Sequence, residues 1–159
     1  IKTYKQCSWK TEEQFYCAIA SSFMLSADNA HAVHPHIPQK TDATNCVYMN
    51  EGIVVKSHAG QKYTSDAVSV AVFKDLCKKA NVPVQFFANR SDEAGGSTLG
   101  NIAMAQVSMN SVDIGLPQLA MHSTYETAGI KDTYYMIQVM TEFFNCHISE
   151  VNSHSLKVD

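Results

Sequence analysis

The hydrophobic positions of this chain switch repeatedly between helical and extended spacing. Thr11-Glu12-Glu13-Gln14 opens a helical pattern whose apolar positions continue through Phe15, Ala18, Ile19 and Phe23. The two glutamates in its first turn suit the positive end of the helix dipole. Phe23-Met24-Leu25 has the length of a buried strand end, which places Asp28 where strand gives way to loop. Residues 35–51 hold Pro35, Pro38, Thr41, Asp42, Thr44, Asn45 and Asn50 without periodicity and read as a long loop. Loops above about 12 residues within compact domains are usually functional or mobile. Gly52-Ile53-Val54-Val55-Lys56 reads as a β-branched strand ending on a charge, and Gly60 turns the chain.

Thr64-Ser65-Asp66 starts a second helix with apolar residues at Val68, Val72, Leu76 and Cys77. Lys78 and Lys79 occupy its last turn, and Asn81 and Pro83 end it. Val84-Gln85-Phe86-Phe87 is the next strand, and Asn89 to Ser97 a loop containing Asp92 and Gly95-Gly96. Ser97 or Thr98 caps a helix expected to run to about Met109, followed by a strand at Ser111-Val112-Asp113-Ile114-Gly115. Leu119-Ala120-Met121-His122 reads as a short strand or turn. A last helix is expected from Asp132 to about His147, with Tyr135, Val139, Met140 and Phe143 as its buried stripe; the tail from Ser149 has weak pattern. Alternating helix and strand argue for an α/β fold with a largely parallel sheet. At 159 residues one domain is the default.

Composition narrows the function classes. The chain is 45% hydrophobic and 17% charged, as in globular domains, with a net charge of −3 and no Lys/Arg run to attract nucleic acid. No apolar stretch approaches the roughly 18 residues of a membrane span, and no signal-peptide pattern is visible. The five cysteines, Cys7, Cys17, Cys46, Cys77 and Cys146, are scattered and form no C-x-x-C pair. That usage points to a reduced, intracellular protein and away from a cysteine-built zinc site. The chain opens on Ile1 rather than Met, so it is expected to be a piece of something longer.

Chemistry concentrates in Ser26-Ala27-Asp28-Asn29-Ala30-His31-Ala32-Val33-His34-Pro35. Ligands of open α/β sheets bind outside the carboxyl ends of strands, where Asp28 is placed. Asp28, His31 and His34 are spaced by three, so a helical turn would put them on one face. Pro35 stops any helix and biases His34 toward an extended conformation. Zinc accepts aspartate oxygen and histidine nitrogen, although an Asp before a turn is as often a cap and a His beside Pro a surface residue. The second dense stretch is Gly115-Leu116-Pro117-Gln118-Leu119-Ala120-Met121-His122-Ser123, where His122 is either structural or a ligand. Gly95-Gly96-Ser97 before a helix has the form of an anion-binding N-terminus, but it lacks a P-loop lysine. Lys56 offers a strand-end cation for an acidic side chain, or is simply solvated; the Tyr63 hydroxyl allows hydrogen bonding or packing.

These stretches, together with Gln61-Lys62-Tyr63, Arg90-Ser91-Asp92, Gly96-Ser97-Thr98-Leu99-Gly100 and Tyr125-Glu126-Thr127-Ala128-Gly129-Ile130-Lys131-Asp132, resemble the aspartyl aminopeptidases, a family of cytosolic zinc exopeptidases, in its bacterial branch. The resemblance runs over nearly the whole chain. It implies a three-layer sandwich with a largely parallel mixed sheet, of which this chain is the C-terminal part of the catalytic domain. It implies that Asp28 and His122 are zinc ligands of a two-metal centre, and that His31, Lys56 and Tyr63 contact substrate. No role passes to His34, and His36 stands where the family usually has Asn. The family's other ligands, its catalytic Glu-Glu pair and an inserted dimerisation domain would lie upstream of Ile1; Glu12-Glu13, the only Glu-Glu here, reads as an ordinary helix start. The implied activity is zinc-dependent removal of N-terminal Asp or Glu from peptides, in the cytoplasm, by a dodecameric homo-oligomer. Co or Mn could replace Zn at such ligands. This chain alone is expected to be inactive. The alternatives are an aminopeptidase of neutral or broad specificity and a non-catalytic truncated α/β module.

Overall fold

A computed structural model describes residues 11–152 and 155–159. Cys7 and the opening residues from Ile1 lie outside the described residues. Helix α1 (Glu12–Ala20) begins on a capping box in which Thr11 and Gln14 exchange side-chain and backbone hydrogen bonds. Glu12 and Glu13 therefore sit in an ordinary first turn. The helix stops at Ala20, short of Phe23, because Phe23 opens strand β1 (Phe23–Ala27).

The main sheet has the order β1-β5-β3-β4, adding β3 (Ile53–Ser57), β4 (Val84–Ala88) and β5 (Asn110–Gly115). β1 and β5 are parallel, β3 and β4 are parallel, and β3 and β5 are antiparallel, so the sheet is mixed and largely parallel. Helix α2 (Ala67–Lys79), capped by Asp66, and helix α4 (Ile130–Asn145) pack on one face. Ile53, Val55, Val112 and Ile114 point there and join Val72, Phe73, Leu76, Cys77 and Val139 in the core. Val68, expected among the apolar contacts of α2, lies on its outer side at 36% exposure.

The strand alternation puts a different set on the other face: Ser26, Val54, Lys56, Ser111, Asp113 and Gly115, all buried. The short helix α3 (Leu99–Met104) lies over this face, since a Cβ at Gly100 would stand 2.5 Å from Ser26 Oγ. The expected helix to Met109 thus ends one turn after it begins, and the chain re-enters the sheet at Asn110. Helices on both faces give three layers.

A second sheet, β2-β6-β7, runs beside the first and contains β2 (Ala30–His31), β6 (Pro117–Leu119) and β7 (Thr127–Ala128). The weakly patterned tail forms an antiparallel pair, β8 (Ile148–Asn152) with β9 (Ser155–Val158). The α4 helix starts two residues before Asp132. That carboxylate, with no solvent exposure, accepts from the Asn50 and Gly52 backbone N–H groups and so ties the end of the long loop to α4. The stripe Tyr135, Val139, Met140 and Phe143 packs inward as expected, while Ile130, Tyr134, Ile137 and Phe144 face outward, each at least 60% exposed. No helix among the described residues is long and apolar enough to cross a membrane.

Among the described glycines the tightest surroundings are at Gly115, where a Cβ would stand 1.9 Å from the Asp28 carbonyl oxygen. Overpacking of this kind costs about 1–3 kcal/mol. Gly115→Ala is expected to lower the urea unfolding midpoint accordingly, whereas Gly96→Ala, whose Cβ would meet nothing within 4 Å, leaves it nearly unchanged.

Candidate active-site cavity

The segment 28–34 is extended, not a helical turn. The Asp28, Ala30 and Ala32 N–H groups donate to the carbonyls of Ile114, Leu116 and Gln118, so the backbone runs alongside 114–118 as a ladder. Pairing of β2 with β6 continues it. Asp28, His31 and His34 therefore do not share a helical face. Asp28 and His31 instead open onto one cavity of about 190 Å³, and His34 lines its larger neighbour.

All five residues singled out from the sequence line that smaller cavity: Asp28, His31, Lys56, Tyr63 and His122. Lys56 comes from the end of β3, but it is not a solvated strand-end lysine; its side chain is only 2% exposed. Its Nζ donates to the Asp28 carbonyl at 3.0 Å and to the Asn29 carbonyl at 3.5 Å, and stands 3.9 Å from the Asp28 carboxylate. It also sits 5.1 Å from the centre of the Tyr63 ring, in cation–π range. Burial pushes the lysine pKa below its ordinary value, and the charges of Asp28 and Asp113 partly restore it. Burial pushes the Tyr63 phenol up, so it stays protonated. Burial against the cavity wall desolvates the His31 ring and lowers its pKa, and the neighbouring His122 and Lys56 act in the same direction. At neutral pH its imidazole is therefore mainly uncharged.

His122 is reached by a tight turn after β6. Ala120 and His122 both adopt left-handed backbone, with φ of 56° and 66°. The His122 N–H donates to Glu126 Oε1 at 2.6 Å, which fixes the turn while leaving the imidazole exposed.

Three supporting groups went unread in the sequence. Asp113 has no solvent exposure and accepts from the Ser26 hydroxyl at 2.6 Å, from the Thr64 N–H at 2.6 Å and from the Thr64 hydroxyl at 3.0 Å. A charge between Val112 and Ile114 was the available signal. Asn29 donates to the buried Gln118 amide oxygen, linking the two chemically dense stretches. Thr98 Oγ1 is buried beside the cavity and has no hydrogen-bond partner among the described residues. The glycine run at 95–96 lines the cavity too, ahead of the six-residue helix α3, whose start has no side-chain cap.

The donor chemistry of Asp28 and His122 suits zinc. Among the described residues no three His, Cys, Asp or Glu side chains gather to hold a metal ion. The four described cysteines are free thiols and none lines the cavity.

Residues 4–144 match the aminopeptidase I zinc metalloproteases (M18), and the chain belongs to that family. It is 53% identical over 133 residues to a probable M18 family aminopeptidase 2 of Clostridium novyi, covering 84% of this chain and 31% of that relative. The chain thus spans about a third of the relative's length. In structure it is similar to a chain of the Ape4 and Nbr1 complex, with a TM-score of 0.83 and 36% identity over 85% of this chain and 26% of that one. It also resembles the S. cerevisiae mApe1 dodecamer, with a TM-score of 0.72 and 26% identity over 81% of this chain and 28% of that one.

A desolvated lysine costs stability at neutral pH. Its folded pKa lies below the unfolded one, so this cost is fully present at neutral pH and is relieved as pH rises through the folded value toward 10.5. Lys56→Met removes that cost but also takes the donor from the Asp28 and Asn29 carbonyls. Its stability relative to the unaltered protein is therefore expected to fall as pH rises toward 10.5, read from melting curves of the two proteins across pH.

Proposed function

We propose that the protein carrying this chain is a zinc-dependent aminopeptidase that removes N-terminal Asp or Glu from peptides through a two-metal centre. Family membership supports the aminopeptidase reading, and the buried Lys56 ammonium beside Asp28 and His122 is the observation that carries the acidic preference. An ammonium has three donors, and Lys56 spends two on the Asp28 and Asn29 carbonyls. The third is free to pair with a substrate carboxylate in a setting where water competes poorly.

Asp28 and His122 would hold zinc together with ligands from the rest of the protein. Bound zinc supplies Lewis-acid polarisation of the peptide carbonyl and a water of lowered pKa. The chain's own residues orient the substrate. Lys56 takes the acidic side chain, neutral His31 accepts a hydrogen bond from the peptide's terminal amine or donates one to its carbonyl, and the protonated Tyr63 hydroxyl donates to a substrate oxygen. Gly115 holds the Asp28 backbone against β5, which sets where its carboxylate projects.

The reading extends to a homo-oligomer in the cytoplasm. The dodecameric relative supports assembly, as does the outward apolar stripe of α4, and the free thiols suit a reducing compartment.

The test is peptidase activity of the full-length protein on aspartyl and leucyl chromogenic substrates, with and without chelator. Chelator-sensitive release favouring aspartyl is expected. Lys56→Ala should cut kcat/KM for aspartyl substrates by roughly 100-fold, the worth of a lost charge-assisted hydrogen bond, and change leucyl release little. Equal loss on both substrates would favour a neutral or broad specificity, and no release from either, with metal restored, a non-catalytic module. The 159-residue chain alone is expected to be inactive and to bind zinc weakly; sub-micromolar affinity in a zinc titration would contradict this.

A further inference from the structure

The long loop after β2 and the Arg90-Ser91-Asp92 stretch have no part in the reaction described above. Together they build a second cavity of about 300 Å³. One wall is the loop, with Ile37 and Lys40; the other is the segment after β4, with Arg90 and Glu93; Leu119 of β6 lies at the base. The two walls are latched. The Arg90 guanidinium binds both oxygens of Asp92 and donates to the Gln39 carbonyl on the opposite side. The loop is also stiffened from within, because Asp42 accepts from the Thr44 and Asn45 N–H groups and from the Asn45 side chain.

This groove is continuous with the cavity of Asp28, Lys56 and His122. His31, Phe87, Asn89 and Ala94 line both. A peptide whose first residue fills the smaller cavity can therefore reach the larger one with its second, since the next position along an extended chain lies about 3.3 Å further on. The groove's lining is mainly apolar, from Ala32, Ile37, Phe87, Ala88 and Leu119, with Asn89 and the buried Gln118 among its polar groups.

We infer that this groove is the binding site for the second residue of the substrate peptide, the one released at the new N-terminus, and that it selects an apolar side chain there. The inference rests on the aminopeptidase reading of the adjoining cavity. Burying a leucine-sized side chain rather than a hydrogen favours binding roughly ten-fold or more.

The experiment compares the dipeptides Asp-Leu and Asp-Gly on the full-length protein. Binding is read by calorimetry after chelator treatment, and kcat/KM is read with metal present. Asp-Leu is expected to exceed Asp-Gly by roughly ten-fold in both. Ile37→Asp, on an exposed loop, and Leu119→Thr are each expected to bring that ratio close to one. A general loss of folding or of metal lowers both peptides together and so does not by itself bring the ratio to one. Equal handling of the two dipeptides by the unaltered protein, with cleavage intact, would overturn the groove while sparing the aminopeptidase reading. A ratio unmoved by both variants would overturn it as well. Neither binding nor cleavage of either dipeptide would overturn both.

Discussion

Asp113 is a carboxylate with no solvent exposure in the middle of the sheet, and its donors explain much of what surrounds it. A buried charge without partners costs several kcal/mol. Here the Ser26 hydroxyl comes from the neighbouring strand β1, and the Thr64 N–H and hydroxyl come from the segment leading into α2. Ser65 adds a hydroxyl to the Asp113 N–H. Gly100 must lack a side chain for α3 to lie this close to Ser26 and Asp113. Satisfying one group therefore pulls a strand, a loop and a short helix onto the same face. The loop arrives with Tyr63 one residue before Thr64, which sets its ring beside Lys56.

Lys56 is the second consequence of that face. The cavity gains a cation held at a fixed place, with two donors already spent on backbone carbonyls. The same burial that makes the ammonium strong toward an acidic partner makes it costly to the fold. Stability and recognition thus pull in opposite directions at one side chain, as is common where a site is preorganised. Asp28 shares in this arrangement. Its carbonyl anchors Lys56, its N–H joins the ladder to β5, and Gly115 gives it room, so its carboxylate is free to face the cavity.

Legibility along the chain followed the range of the interactions. The α2 and α4 helices and the strands at 53–57, 84–88 and 110–115 were readable because apolar spacing and caps act within a few residues. The segment 28–34 was harder to place for the opposite reason. Its three-residue spacing allows a helix, but the carbonyls of Ile114, Leu116 and Gln118 offer its N–H groups a ladder that local sequence cannot reveal. The third helix ended early because the chain had to return to the sheet at Asn110, and the tail paired into a hairpin despite its weak pattern. Lys56 reads from the sequence either as a cation for an acidic side chain or as a solvated lysine, and only packing from loops distant in sequence decided that it is buried.

By itself the sequence determined the α/β class, the placement of most elements, and the residues with chemistry to offer. Residue type and short-range periodicity are enough for these. The tertiary structure decided that Asp28, His31, Lys56, Tyr63 and His122, drawn from four separate stretches of the chain, line one cavity. It also decided which charges are dry, with Asp113 and Asp132 fully buried and Lys56 nearly so. Burial and convergence depend on crossings between strands far apart in sequence, and no local pattern encodes which donors will meet a given charge.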